Sequence, residues 1–117
     1  MTWQIETFSS DVDAELEALD RELLAKFAHV SNLLIQFSPQ GVREPHVKPL
    51  IVEGAPLWEM RLSGKTKIAR AVYVTQIGQR IVVLHVFIKK TQKTPSKAIA
   101  TAIRRYQQLL KLTKETS

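Results

Sequence analysis

The sequence predicts an α+β domain: a small antiparallel sheet, made of an N-terminal strand and a three-stranded meander, backed by an N-terminal helical pair and a C-terminal helix. Three observations carry this. Apolar residues recur at steps of three and four from Val12 to Phe37, gather into short strand-like runs between Leu57 and Lys89, and return to helical spacing from Ile99 onward. Turns at Ser63-Gly64-Lys65 and around Gly78 are short enough for antiparallel neighbours. The 117 residues fit a single domain, 1–117, that buries roughly 65% of the surface its unfolded chain exposes.

Residues 3–8, WQIETF, alternate apolar and polar side chains as a half-buried strand does, with Trp3 and Ile5 on one side. Ser10 followed by Asp13 resembles a capping box, and Asp11 adds acid at the positive end of a helix dipole, so a helix starts near Asp11. Val12, Leu16, Leu19, Leu23, Phe27, Val30, Leu34 and Phe37 form one apolar stripe, within which Asp20 is placed to cap a second helix. The stripe stops at Ser38-Pro39-Gln40-Gly41, and residues 38–56, with four prolines, read as a loop. Strands follow at 57–62, 66–75 and 80–89, with Trp58 and Met60 expected in the core, alternating with Glu59 and Arg61. Thr94 suits an N-cap and Pro95 the first helical position. Ile99, Ala102, Ile103, Tyr106, Leu109 and Leu110 make the last helix's apolar face, with Lys111 and Lys114 near its negative end.

Composition removes several classes of protein. With no cysteine, neither disulfides nor thiolate metal sites hold the fold. The N-terminus lacks the basic flank and apolar core of a signal peptide, and no apolar run nears the ~20 residues that cross a bilayer. A cytoplasmic protein with no membrane partner is expected. Net charge is +6, unevenly spread: residues 1–37 carry seven acidic side chains against two basic, residues 38–117 fifteen basic against four acidic. That asymmetry points to one side that faces a polyanion, most commonly nucleic acid.

The basic half places its charges at strand positions. In LHVFIKKTQKTP (84–95) an apolar strand ends in adjacent lysines before a polar turn opens a helix, while LWEMRL (57–62) and KIARAVYV (67–74) each set one arginine in an apolar pattern. Three strands then converge Arg61, Arg70, Lys89 and Lys90 on one patch suited to a phosphodiester. Adjacent strand residues face opposite sides, so only one of the two lysines points into it.

This element order and these motifs resemble the RelE/ParE superfamily of toxins, specifically its HigB-like, phage Gp49-like branch, over nearly the whole chain. Arg61, Arg70, Phe87, Lys89, Lys90, Thr91, Lys93 and Pro95 stand at the branch's motif positions; Ala69 replaces the usual aromatic before the second arginine, and Val86 a frequent glycine. The resemblance implies a RelE-like fold and the toxin of a type II toxin–antitoxin pair that cuts messenger RNA, commonly on the translating ribosome. It also implies no metal or other cofactor, attack by the ribose 2′-hydroxyl, and a cognate antitoxin, usually a helix-turn-helix DNA-binding protein.

Such cleavage needs an acceptor for the 2′-hydroxyl proton, cations around the phosphorane and a donor for the leaving 5′-oxygen. Arg61 and Arg70 are candidates for gripping the phosphate. Lys89 or Lys90 is the candidate base, since neighbouring cations and burial lower a lysine's pKa. Lys65, Lys67, Arg80, Lys93 and Lys97 fit backbone contacts to RNA, and Phe87 either stacks on a base or packs in the core. His85 is a rival acid or base, although its strand position favours a hydrogen-bonded core residue; His29 and His46 suggest nothing further. Arg61 has its own alternative, an ion pair with Glu59 or Glu53. Two other functions stay open: a ParE-like poison of a topoisomerase, and a non-catalytic nucleic-acid or partner-binding module.

Overall fold

The computed structural model of the chain describes residues 2–76, 78–90 and 93–116, with side chains through Thr113. In chain order it forms β1 (Gln4–Thr7), α1 (Ser10–Glu17), α2 (Arg21–Phe37), a 3-10 turn at Pro39–Gly41, β2 (Val47–Pro49), β3 (Trp58–Ser63), β4 (Ile68–Gln76), β5 (Arg80–Lys89) and α3 (Ser96–Thr116). The expected α+β class is what these elements build, on one five-stranded sheet of order β1-β5-β4-β3-β2. Thr91 and the Lys114 side chain, both assigned roles above, lie outside the described residues.

The sheet departs from the expectation in two ways. The meander is antiparallel, but β1 runs parallel to β5, from Gln4 opposite Arg80 to Thr7 opposite Val83. No hairpin sets its direction, because α1 and α2 carry the chain over one face of the sheet first. The second departure is β2, which lies within the stretch read as loop and pairs antiparallel with β3. Its proline is tolerated because β2 is an edge strand.

Strand alternation divides the core into two layers. On one face, Val12, Leu23, Val30 and Leu34 of α1 and α2 cover Met60, Leu62, Ala69, Ala71, Ile81, Val83 and Val86. On the other, Ala102 and Leu109 of α3, with Ile103 and Tyr106, cover Val72, Val74, Val82 and Leu84. Helix α3 packs on β5, leaving the β2–β3 side of that face less covered. Phe37 and Trp58, both expected inside, are 55% and 38% exposed. Each is a terminal residue of its element, where the opposing layer ends. Leu110, expected on the apolar face of α3, is 42% exposed.

Caps show which local signals took effect. Asp20 accepts the N–H of Leu23 at 2.9 Å and starts α2 as expected. Asp20→Ala is expected to cost about 1 kcal/mol, read from the urea midpoint. The capping box at α1 does not form: Ser9 is the N-cap without a side-chain bond, and Asp13 instead accepts from the Thr7 hydroxyl at 2.7 Å. The helix starts one residue earlier than the box requires, so its N3 residue is Val12, which has no carboxylate to close one. Thr94 does not serve as the helix cap either; its hydroxyl turns to Glu59, and the Pro95 carbonyl accepts the N–H groups of Ala98 and Ile99 in α3. Gly64 has a packing reason, since a Cβ there would meet Glu22 Oε1 at 2.6 Å, the same oxygen that accepts the Lys65 N–H.

Candidate active site

Ladder register lays out the charged residues in rows on the α3 face. Ser63, Ile68 and Lys89 align in one row, Arg61, Arg70 and Phe87 in the next, and Lys48, Glu59, Val72 and His85 in the third. Directly opposed residues share a face, so Arg61 and Arg70 stand side by side, a like-charged pair that costs stability unless an anion joins it.

Lys89 reaches this face through an irregularity in β5. Tyr73 pairs with Val83 but Val72 with His85, leaving Leu84 as an inserted residue. Every residue after the insertion is turned to the face opposite the one a regular ladder would give it. Lys89 therefore points with Arg70, while Lys90, just past the end of β5, is exposed and does not line the cleft beside Lys89.

These side chains border an open cleft of about 300 Å³. Lys48, Arg61, Lys89 and Lys93 line it with Glu59 and Thr94, and Leu50, Ile51, Val52 and Ile99 give it an apolar wall. Ile51 is almost fully exposed there. Arg70 lies behind the lining, 4% exposed. Its Nη1 donates to the Ala69 carbonyl at 2.9 Å, and its Nε is 3.7 Å from Glu59 Oε1, with no hydrogen-bond partner among the described residues. Burial lowers the Arg70 pKa against the opposing pull of Glu59, and Arg61 lowers it further.

Lys89 is 8% exposed, and burial pushes its ammonium below the ordinary lysine value. Arg70 pushes the same way, Glu59 opposes, and Arg61 and Lys48 add smaller repulsions. The arrangement sets cations around a space an anion could fill, next to a lysine whose neutral form burial and repulsion favour. Among the described residues no group of three histidine or acidic side chains is placed to hold a metal ion.

The remaining candidates are dispersed. Lys65 and Lys67 are exposed in the β3–β4 turn and Lys97 on the first turn of α3, none of them lining the cleft. Arg80 stands apart, at the opposite end of β5 from Lys89, roughly 30 Å along the strand, and pairs with Glu6 of β1. Phe87 shares a row with Arg70 but lies under α3, stacked on His85 with ring centroids 5.1 Å apart, among the core residues. Arg61 is not the partner of Glu59; that ion pair belongs to Arg70. Lys48, Glu59, Thr94 and the Leu50-Ile51-Val52 wall are site residues the sequence reading missed. Glu59 had a signal, a carboxylate set between Trp58 and Met60 in an apolar strand. Lys48 had none, because its strand is only three residues long.

His85 is held away from the cleft. Its Nδ1 lies 3.0 Å from Glu15 Oε1, and the same oxygen accepts the Val86 N–H at 2.9 Å. Arg105 pairs with Glu15 and donates to the Leu84 carbonyl at 2.8 Å. This cluster takes over the β5 edge where β1 ends, satisfying backbone groups at and beside the inserted residue. A larger cavity, about 560 Å³, lies on the opposite sheet face between Trp58, Tyr73, Val42 and Pro39. It is far less cationic than the cleft, with Arg43 and Glu44 balancing each other.

Fold and site together define a class: a small RelE-like α+β protein with a cationic cleft beside its last helix. The chain matches the family described as "Phage derived protein Gp49-like (DUF891)" over residues 14–107, and it belongs to that family. The family is associated with RelE-type, toxin-like proteins, and membership implies an antitoxin partner. No curated protein matches the chain. Among the described residues no helix is long and apolar enough to cross a membrane.

Proposed function

We propose that this protein is a HigB-like toxin of a type II toxin–antitoxin pair, an endoribonuclease that cuts messenger RNA on the translating ribosome without a metal ion. The observation that carries the reading is the grouping of Arg61, Arg70 and Lys89 from three strands around one open cleft, with Lys89 partly stripped of solvent. Cations that repel one another in the free protein are stabilised when a phosphodiester sits between them.

In the proposed reaction the 2′-oxygen bonds to phosphorus and its proton passes to the neutral Lys89 amine. The bond to the 5′-oxygen breaks, and an ammonium at the cleft's rim, Lys48 or Lys93, protonates that oxygen. The products are a 2′,3′-cyclic phosphate and a 5′-hydroxyl. Arg61 faces the phosphorane from the lining, and Arg70 adds its charge from the dry layer behind, where its field is less screened. The aliphatic wall from Leu50 to Val52 receives the base of a flanking nucleotide.

Mapping new 5′ ends in a translating extract tests this. Wild type is expected to cut translated messages, and Arg61→Ala to cut them about 10² to 10³ times more slowly. A folded wild-type sample that leaves messages whole would overturn the reading, and DNA breaks with translation intact would transfer it to topoisomerase poisoning. A helix-turn-helix antitoxin is the proposed cognate partner.

A further inference from the structure

We propose that Glu59 is a positioning residue of the cleft, a buried counter-ion that holds Arg70 in place, faces the same cleft as Lys89 and is itself fixed by Thr94. This rests on the ribonuclease reading and names a part of the site that reading does not require.

Glu59 is 4% exposed, an uncommon place for a carboxylate unless it is paired. Among the described residues lining the cleft it is the one acid. It stands directly across from Lys48 in the ladder and diagonally from Arg70, whose Nε is 3.7 Å from its Oε1. The Thr94 hydroxyl donates to Oε2 at 3.0 Å, tying the carboxylate to the segment that opens α3. Held at Oε2 by Thr94, the carboxylate sets its charge 3.7 Å from the Arg70 Nε, an ion pair that draws the guanidinium without saturating it.

Its charge acts on Lys89 as well. The groups facing Lys89 are Arg70 from β4, Arg61 and Glu59 from β3, Lys48 from β2, and Lys93 beside α3. Glu59 alone among them favours the protonated amine, so it limits how far the surrounding cations depress that lysine. Removing its charge lowers Lys89's pKa further, and a base with a lower pKa becomes available at lower pH.

The experiment is the pH profile of cleavage together with the NMR titration of the Lys89 side chain, assigned by its absence in Lys89→Met, in wild type and Glu59→Gln. Glutamine keeps the shape and an oxygen for Thr94 but not the charge. The Lys89 titration is expected to move to lower pH by about one unit, the acid limb of kcat to move with it, and the plateau of kcat to fall several-fold with KM little changed. An unmoved titration in a folded E59Q protein overturns the inference. Should E59Q not fold, Thr94→Val carries the test by untying the carboxylate: kcat drops several-fold and the Lys89 titration shifts, whereas no change in both overturns the inference. If wild type cuts no RNA, the ribonuclease reading fails while the titration still decides the role of Glu59.

Discussion

Replacing Lys89 with methionine is expected to slow cleavage severely and, in the same step, to make the protein harder to unfold. The loss of the base should slow the reaction by about 10² to 10⁴. The gain in stability comes from removing an ammonium that is buried and repelled by Arg70, Arg61 and Lys48. Its size is about 1–2 kcal/mol, since apolar replacement of a buried charge is commonly neutral or stabilising. The pH dependence has a definite sign. Lys89 has a folded pKa below its unfolded one, so between those two values the unfolded chain binds more protons and wild-type stability rises with pH. The advantage of methionine is therefore largest below the folded pKa and disappears above the ordinary lysine value of 10.5. Urea unfolding of both proteins at neutral pH and near pH 10.5 measures it. A variant that is inactive and less stable at both would mean that Lys89 is a packing residue and its charge is no burden.

Glu15→Ala is expected to weaken the fold by about 3 kcal/mol. Glu15 accepts from Val86 and Arg105 and contacts His85, so its loss leaves a mostly buried guanidinium and a strand N–H without their acceptor. Those groups flank the inserted Leu84, whose presence turns Lys89 toward the cleft. Cleavage should thus fall together with stability, although Glu15 lies on α1 and does not line the cleft. Denaturant unfolding and hydrogen exchange at the Val86 amide check this. Full protection at Val86 in the variant would show that β5 keeps its register without the cluster.

The contrast between Lys89 and Lys90 marks how far the sequence could be read. Periodicity identified all three helices and the long strands, and β5 was placed at 80–89, where it lies. Local alternation also showed that only one lysine would face the site. It could not say which, because that choice depends on an inserted residue, Leu84, whose carbonyl accepts from Arg105, while Glu15 accepts the N–H of nearby Val86; the two partners stand 21 and 69 positions from Leu84 in the chain. Arg80 taught the complementary lesson: it shares a strand with Lys89, yet strand length puts the two at opposite ends.

Amino-acid order alone determined the element types, the α+β class and the identity of most cations at the cleft, since these follow from spacing and charge within a few residues. Tertiary structure alone decided that β1 runs parallel, that a three-residue strand brings Lys48 to the rim, that Glu59 is buried beside Arg70, and which lysine turns inward. Each of these depends on pairing between segments distant in the chain, whose free energy is set by register, burial and counter-charge after the strands have met.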